Sequence, residues 1–181
     1  MVCANFEATR CRRSDDRIVH RTTIALLGAY GDAVAEIARS RTVAAEPQEV
    51  WDVLADFGSI SSWADNIDHS CILNHRSEHV GTTRRVQIGR NALVERITEF
   101  DPTWALAYDV EGLPKRLRRF NNRWTLRRVQ GGNTVVTLTS RVEIGSGPAQ
   151  ELAERAVCRV QARQSDVMLG GLANRAEERR V

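Results

Sequence analysis

Residues 120–144 read Phe120-Asn-Asn-Arg-Trp124-Thr-Leu126-Arg-Arg-Val-Gln-Gly131-Gly132-Asn-Thr-Val-Val136-Thr-Leu138-Thr-Ser140-Arg-Val142-Glu-Ile144. Side chains alternate across a strand, so every second residue belongs to one face. Phe120, Asn122, Trp124 and Leu126 share such a face, as do Val136, Leu138, Ser140, Val142 and Ile144 after the glycine turn. The opposite faces are mostly Arg, Thr and Asn. Two runs with one dry and one wet face, joined by Gly131-Gly132-Asn133, predict an antiparallel hairpin. Folding it about Gly131 sets Asn122 opposite Ser140 and Trp124 opposite Leu138.

The same parity extends upstream. In 83–88, Arg84, Val86 and Ile88 oppose Thr83, Arg85 and Gln87, and in 104–110 Trp104, Leu106, Tyr108 and Val110 share a face. Turn signals separate the runs at Gly89-Arg-Asn91, Asp101-Pro102, and Gly112 with Pro114. A hairpin about Arg90 and Asn91 sets Val86 opposite Glu95 and Arg84 opposite Ile97, placing Glu95 on the apolar face. Glu36 to Ala44 reads as a first strand and Ile67 to Leu73 as the second. Between them Pro47 opens a short helix with Val50, Leu54 and Phe57 at helical spacing, closed by Gly58, and Ile60-Ser-Ser-Trp63 offers another turn.

Beyond Gly145-Ser-Gly147, Pro148 starts a proline-free stretch reaching about Arg175. Leu152, Ala156, Val160, Val167 and Leu172 form its apolar stripe, and Gly170 and Gly171 are candidate kink points. At ~1.5 Å per residue this helix spans about 40 Å, enough to cross a curved sheet.

The first 33 residues differ in character: Arg10, Arg12, Arg13, Arg17 and Arg21 stand among Glu7, Asp15, Asp16 and Asp32, with one apolar patch, Ile24 to Tyr30. Asp15 and Asp16 spoil a secretory leader's basic region, so residues 1–34 are expected to be an extension, disordered or loosely helical. Over all 181 residues, 26 basic and 23 acidic side chains leave a charge of +3, and no basic stripe interleaved with aromatics is legible, which argues against nucleic-acid binding. No run approaches the ~20 apolar residues of a membrane span. Cys3, Cys11, Cys71 and Cys158 lack CxxC spacing, so reduced thiols and a cytoplasmic location are expected.

The carrying stretches Ser40-Arg-Thr-Val-Ala-Ala-Glu-Pro47, Val50-Trp-Asp-Val-Leu-Ala-Asp-Phe57, Ser62-Trp63, Val80-Gly-Thr-Thr83, Glu95-Arg-Ile-Thr-Glu-Phe-Asp-Pro102 and Leu106-Ala-Tyr108 resemble the START-like, or SRPBCC, superfamily. Within it they look most like the bacterial polyketide cyclase/dehydratase and lipid-transport branch. The resemblance implies an α+β helix-grip fold, in which a curved antiparallel sheet of about seven strands wraps around a long C-terminal helix. It also implies a ligand-binding domain at 35–176, a tail at 177–181, and a hydrophobic cavity open near the short helices. A flat sheet with the helix laid on it and no cavity is the alternative.

The residues agree with a cavity, because a purely structural inner face would exclude polar groups that cost ~1–3 kcal/mol each when buried unpaired. Here Arg84, Glu95, Tyr108, Asn122 and Ser140 fall among Trp63, Val86, Ile97, Leu106, Trp124, Leu138 and Val160. Small-molecule sites are commonly built in this way. The expected partner is a hydrophobic small molecule or lipid, with a homodimer as a further possibility. If the chain is an enzyme, which the sequence leaves open, Glu95, set among Val86, Ile88 and Ile97, is the best candidate acid or base, with Tyr108 hydrogen-bonding an enolate. Glu99 shares its strand parity but lies ~13 Å along the chain, too far for a glycosidase-like pair. His69, Cys71, His75 and His79 match no zinc-finger or ribbon spacing, so no metal is assigned, and the absence of GxGxxG, Walker, HExxH and GxSxG motifs leaves no cofactor indicated.

Overall fold

A computed structural model describes residues 18–19, 33–113, 117–144 and 150–179. Strand β1 (Ile18–Val19) and β2 (Ala33–Val43) precede helix α1 (Pro47–Ala55) and a 3-10 helix (Phe57–Ser62). Then come β3 (His69–Asn74), β4 (Thr83–Ile88), β5 (Asn91–Asp101), β6 (Ala105–Glu111), β7 (Leu117–Val129), β8 (Asn133–Ile144) and α2 (Gln150–Glu178). Every pairing is antiparallel, in the order β1-β2-β8-β7-β6-β5-β4-β3. This is the expected curved sheet of seven substantial strands holding a C-terminal helix, with the two-residue β1 added at one edge. Of the segment expected as an extension, Ile18 and Val19 pair with Arg41 and Ser40, and Ala33 and Val34 already belong to β2. Pro148 and the rest of that segment lie outside the described residues.

Local chemistry sets the boundaries. Pro47 takes the first position of α1, where its missing N–H is not needed, and the Glu46 N–H donates to Glu49 Oε2 at 2.7 Å. The β7–β8 hairpin has the expected register, Asn122 against Ser140 and Trp124 against Leu138. The β4–β5 hairpin does not. Its turn is Gly89-Arg90, with Gly89 at φ +57°, so Arg84 faces Glu95 and Val86 faces Leu93. The shift is two residues and therefore preserves the faces.

Three further expectations are corrected. Trp104 is 60% exposed instead of sharing the face of Leu106, because Thr103 turns at φ +65° and Trp104 stands in that turn before β6 begins. A bulge between Ile97 and Glu99 inverts the parity of β5, sending Glu99 to the outer face, where it meets Arg123. Val160 is also 60% exposed, and Val167 is exposed with it. The face of α2 that is buried carries Ala162, Ser165, Met168, Leu169, Leu172, Ala173 and Ala176. Val160 lies two residues from Ala162, about 200° around the helix. Of the expected stripe Leu172 is on the buried face, Val160 and Val167 are not, and the side chains of Leu152 and Ala156 lie outside the described residues.

Gly171 shows how close that approach is. A Cβ there would stand 1.8 Å from the Trp63 carbonyl oxygen, so the loop after the 3-10 helix packs directly against the backbone of α2. The helix continues unbroken through both glycines. At the far end of α2, Glu177 Oε1 accepts the Ala44 N–H at 2.8 Å, tying the helix to the chain where it leaves β2.

The two glycines separate packing from propensity. Gly170→Ala would place its Cβ 3.4 Å from the flexible Arg41 guanidinium and should be neutral or gain up to ~1 kcal/mol of helix propensity. Gly171→Ala meets a backbone carbonyl that no rotamer change relieves, and should cost ~1–3 kcal/mol net, lowering Tm by several degrees. Thermal unfolding of both variants checks this, and equal Tm values would refute the close approach.

Candidate active site and ligand-binding face

Antiparallel registers align the inner-facing side chains in rows across the strands. One row runs Ile97, Tyr108, Asn122, Ser140 and Ile37, crossing β5, β6, β7, β8 and β2. The next is Phe100, Leu106, Trp124 and Leu138, and a third is Arg84, Glu95 and Val110. The polar residues picked out in the sequence thus stand side by side, all buried, within an otherwise apolar surface. Trp63 comes from the loop after the 3-10 helix and meets Trp124 edge to face, with ring centroids 6.2 Å apart.

Arg84 is buried together with Glu95, and its Nε donates to Glu95 Oε2 at 2.6 Å. Its Nη1 donates to the Phe57 carbonyl, also at 2.6 Å. The guanidinium carbon lies 3.8 Å from the Phe57 ring centroid and 5.0 Å from that of Tyr108. One cation therefore joins β4, β5 and the junction between the two short helices. Glu95, the candidate acid or base, is held as the counter-ion of Arg84.

Beside this pair a directional chain of hydrogen bonds crosses three strands. Ser140 Oγ donates to Asn122 Oδ1 at 2.6 Å, and Asn122 Nδ2 donates to Tyr108 Oη at 3.3 Å. Trp124 Nε1 donates to the same oxygen over a long 3.5 Å. With its lone pairs so engaged, the Tyr108 hydroxyl keeps one capacity, the donation of its own proton, and among the described residues no acceptor takes it. Burial pushes its pKa up to about 12, and the negative charge of Glu95 adds to the effect. Arg84 and the two N–H donors act in the opposite direction. At neutral pH Tyr108 is a hydrogen-bond donor, not a base.

Not every residue singled out joins this face. Val160 points away from it and Cys71 is exposed on β3. His79 stacks on Phe100 with ring centroids 4.0 Å apart, at the margin of the core. Phe57 was legible only as a helical core position; its ring and carbonyl both serve Arg84, which no spacing rule announces. Among the described residues, the inner-facing side chains of the strands and their connections that remain only partly buried are Phe100, which meets Trp51 and His79 at one end of the sheet, and Ile88, Leu93, Leu113 and Phe120, near the β4–β5 and β6–β7 connections. A groove of about 330 Å³ on the outer face, lined by Glu36, Asn121, Arg123, Thr139 and Arg141, is polar and its arginines are paired with Glu36 and Glu99.

Two measurements test this geometry. Glu95→Gln leaves the Arg84 charge buried without a counter-ion and should cost ~3–5 kcal/mol in denaturant unfolding, while Arg84→Met combined with Glu95→Leu should recover much of it. An unchanged midpoint for Glu95→Gln would show that the pair does not hold the short helices. Tyr108 sets an alkaline dependence. Because its folded pKa of about 12 exceeds the unfolded value of 10.0, the unfolded chain releases the proton first. The contribution is complete below pH 10 and fades as pH rises toward 12, by ~3 kcal/mol, so Tyr108→Phe should show a shallower alkaline loss of stability.

Among the described residues no helix is long and apolar enough to cross a membrane. No curated protein sequence matches the chain significantly. Solved structures do. The Zhui aromatase/cyclase from Streptomyces sp. R1128 superposes with a TM-score of 0.70 at 21% identity, over 82% of this chain and 96% of that one. The di-domain ARO/CYC StfQ from the steffimycin biosynthetic pathway gives 0.67 at 17% identity, over 81% of this chain and 51% of its own. Ara h 8.0201 gives 0.59 at 13% identity, over 77% and 97% of the respective chains. These likenesses are ones of fold. Residues 34–177 match the model of one sequence family, and the chain belongs to that family, polyketide cyclase / dehydrase and lipid transport.

Proposed function

We propose that residues 35–176 bind a hydrophobic small molecule or lipid between the inner face of the sheet and α2, with an acceptor oxygen of the ligand taking the Tyr108 proton. The observation that carries this reading is the chain from Ser140 through Asn122 to Tyr108, which ends in a buried donor set among Ile97, Leu106, Trp124 and Leu138. An apolar surface with a few convergent polar groups is the usual composition of a small-molecule site. The partly buried Ile88, Leu93, Leu113 and Phe120 favour entry at the β4–β5 and β6–β7 end, while Phe100 at the opposite end is covered by Trp51 and His79.

A second reading, a polyketide cyclase or dehydratase, is favoured by the aromatase/cyclases that share the fold. Glu95 would act as acid or base after parting from Arg84, and Tyr108 would donate to the developing enolate oxygen. Its engagement with Arg84 makes Glu95 the weaker half of that mechanism and leaves binding as the better supported function.

Native mass spectrometry of gently purified protein should show a co-purified small-molecule adduct. A dansyl fatty acid should bind with micromolar affinity, about 10-fold more weakly in Trp124→Ala and ~5-fold more weakly in Tyr108→Phe, the cost of one hydrogen bond. Absence of both adduct and probe binding overturns the proposal. For the enzymatic reading, Glu95→Gln that still folds should keep binding while turnover of a poly-ketone substrate falls ~100-fold.

A further inference from the structure

Tyr108 is not alone in holding a polar group that the chain leaves unused. Ser165 Oγ and Trp63 Nε1 are both buried without a hydrogen-bond partner among the described residues, on side chains whose residues are only 0% and 8% exposed. Buried polar groups in native structures are nearly always bonded, and each exception requires a physical reason.

The helix sets Ser165 at the centre of its inner face. At ~100° per residue, Ser165 falls within one arc with Leu169, Leu172 and Ala176, all of them buried. Asp166 and Gly170 lie on one flank of that arc and meet Arg39 and Arg41 of β2. Gln164 and Gly171 lie on the other flank and meet Asn66 and the Trp63 carbonyl. The arc between the flanks therefore looks onto the sheet. The Asp166 contact also fixes the level, because Arg39 stands in the row of Leu138 and Trp124, next to the row of Ile37, Ser140, Asn122 and Tyr108. Trp63 bridges the same space: its carbonyl lies against Gly171 and its ring meets Trp124, whose own Nε1 reaches the Tyr108 hydroxyl.

Three groups thus converge on one space, the Tyr108 hydroxyl from the sheet, the Ser165 hydroxyl from the helix and the Trp63 indole N–H from the loop. All can donate, and none carries a charge. One unpaired acceptor accompanies them, Asn66 Oδ1, but its side chain is only half-buried and turned to the flank of α2, where Nδ2 donates to Gln164 Oε1 at 2.5 Å. Arg84 and Arg39 have their counter-ions in Glu95 and Asp166, so the space has no need of a charged ligand group. An excess of uncharged donors suits uncharged acceptors such as ketone, ester or quinone oxygens. We infer that Ser165 and Trp63 form a second polar anchor, taking an acceptor oxygen of the ligand other than the one held by Tyr108, so that the site selects molecules with two carbonyl-type oxygens over molecules with one. The inference deepens the ligand reading and rests on it.

2-Dodecanone and the 2,6-, 2,8- and 2,11-dodecanediones share a flexible chain and differ by one ketone oxygen, so their displacement of the dansyl fatty acid from the full chain compares them directly. A wholly apolar pocket would hold the more polar diones more weakly. Here at least one dione should bind ~5-fold more tightly than 2-dodecanone, the worth of one hydrogen bond, and should lose most of that advantage in Ser165→Ala and in Trp63→Phe. In the ligand-free protein Ser165→Ala should leave Tm unchanged or raise it, because the hydroxyl it removes has no partner. A fall of ~2–4 °C, the loss of about one hydrogen bond, would show that the chain itself uses the hydroxyl and would overturn the assignment. If the dansyl fatty acid binds but every dione is weaker than 2-dodecanone, or the advantage survives both substitutions, the second anchor is overturned and the ligand reading stands. If the dansyl fatty acid does not bind and no adduct co-purifies, both fall together.

Discussion

A guanidinium removed from water must be supplied with a counter-charge and acceptors, and Arg84 obtains them from two different parts of the chain. Glu95 provides the charge from the neighbouring strand, and the Phe57 carbonyl provides a second acceptor from the junction of the short helices. Removing either partner leaves a buried charge uncompensated, which is far more costly than the pair is stabilising. The position of the short helices over the sheet follows from this, because the peptide carbonyl at Phe57 has to lie where the guanidinium can reach it. Phe57 itself, stacked on the cation and in edge contact with Tyr108 at 5.8 Å, then closes the space above the polar row. Specificity of arrangement, more than net stability, is what such a buried pair contributes.

The surface charges tell a complementary story. Twenty-five of the 26 basic residues are Arg, yet the chain shows no basic stripe. On the outer face Arg141 pairs with Glu36, Arg123 is bidentate to Glu99, and Arg96 reaches Glu111, each across neighbouring or near-neighbouring strands. Exposed pairs of this kind contribute little individually. Their collective effect is to neutralise the wet face locally, so that it presents alternating charge instead of a field that would collect polyanions.

Much of this was written into side-chain alternation. Parity placed Arg84, Glu95, Tyr108, Asn122 and Ser140 on one face, and the Gly131-Gly132 turn gave the β7–β8 register outright. What alternation does not contain is offset. The β4–β5 partners moved by two residues because a single glycine at positive φ relocated the turn, and the bulge after Ile97 reversed the outer half of β5. Neither event leaves a mark in hydrophobicity. The facing of the helix was only partly legible: Leu172 lies on the buried side of α2, but that side mixes Met168 and Leu169 with Ala162, Ser165, Ala173 and Ala176 about the close approach at Gly171, and the small members of the set carry no apolar signal. The Arg84 to Phe57 contact was equally invisible, since a main-chain carbonyl has no sequence.

The pairing of β2 with β8 has a bearing on how the chain is made. Ser40 and Thr137, which bond each other across that pair, are separated by 97 positions. A ribosome adding ~5–20 residues each second therefore releases β2 about 5–20 s before its partner strand exists. During that interval Ile37 and Val43 have no sheet to join, and the loop that must finally close spans most of the domain. The sheet can grow from the β3–β4 hairpin through β7 as each strand emerges, but the first long strand is also the last to be incorporated. Non-local closure of this kind slows folding and lengthens exposure to aggregation, so the nascent protein is most vulnerable at its beginning until its end has been synthesised.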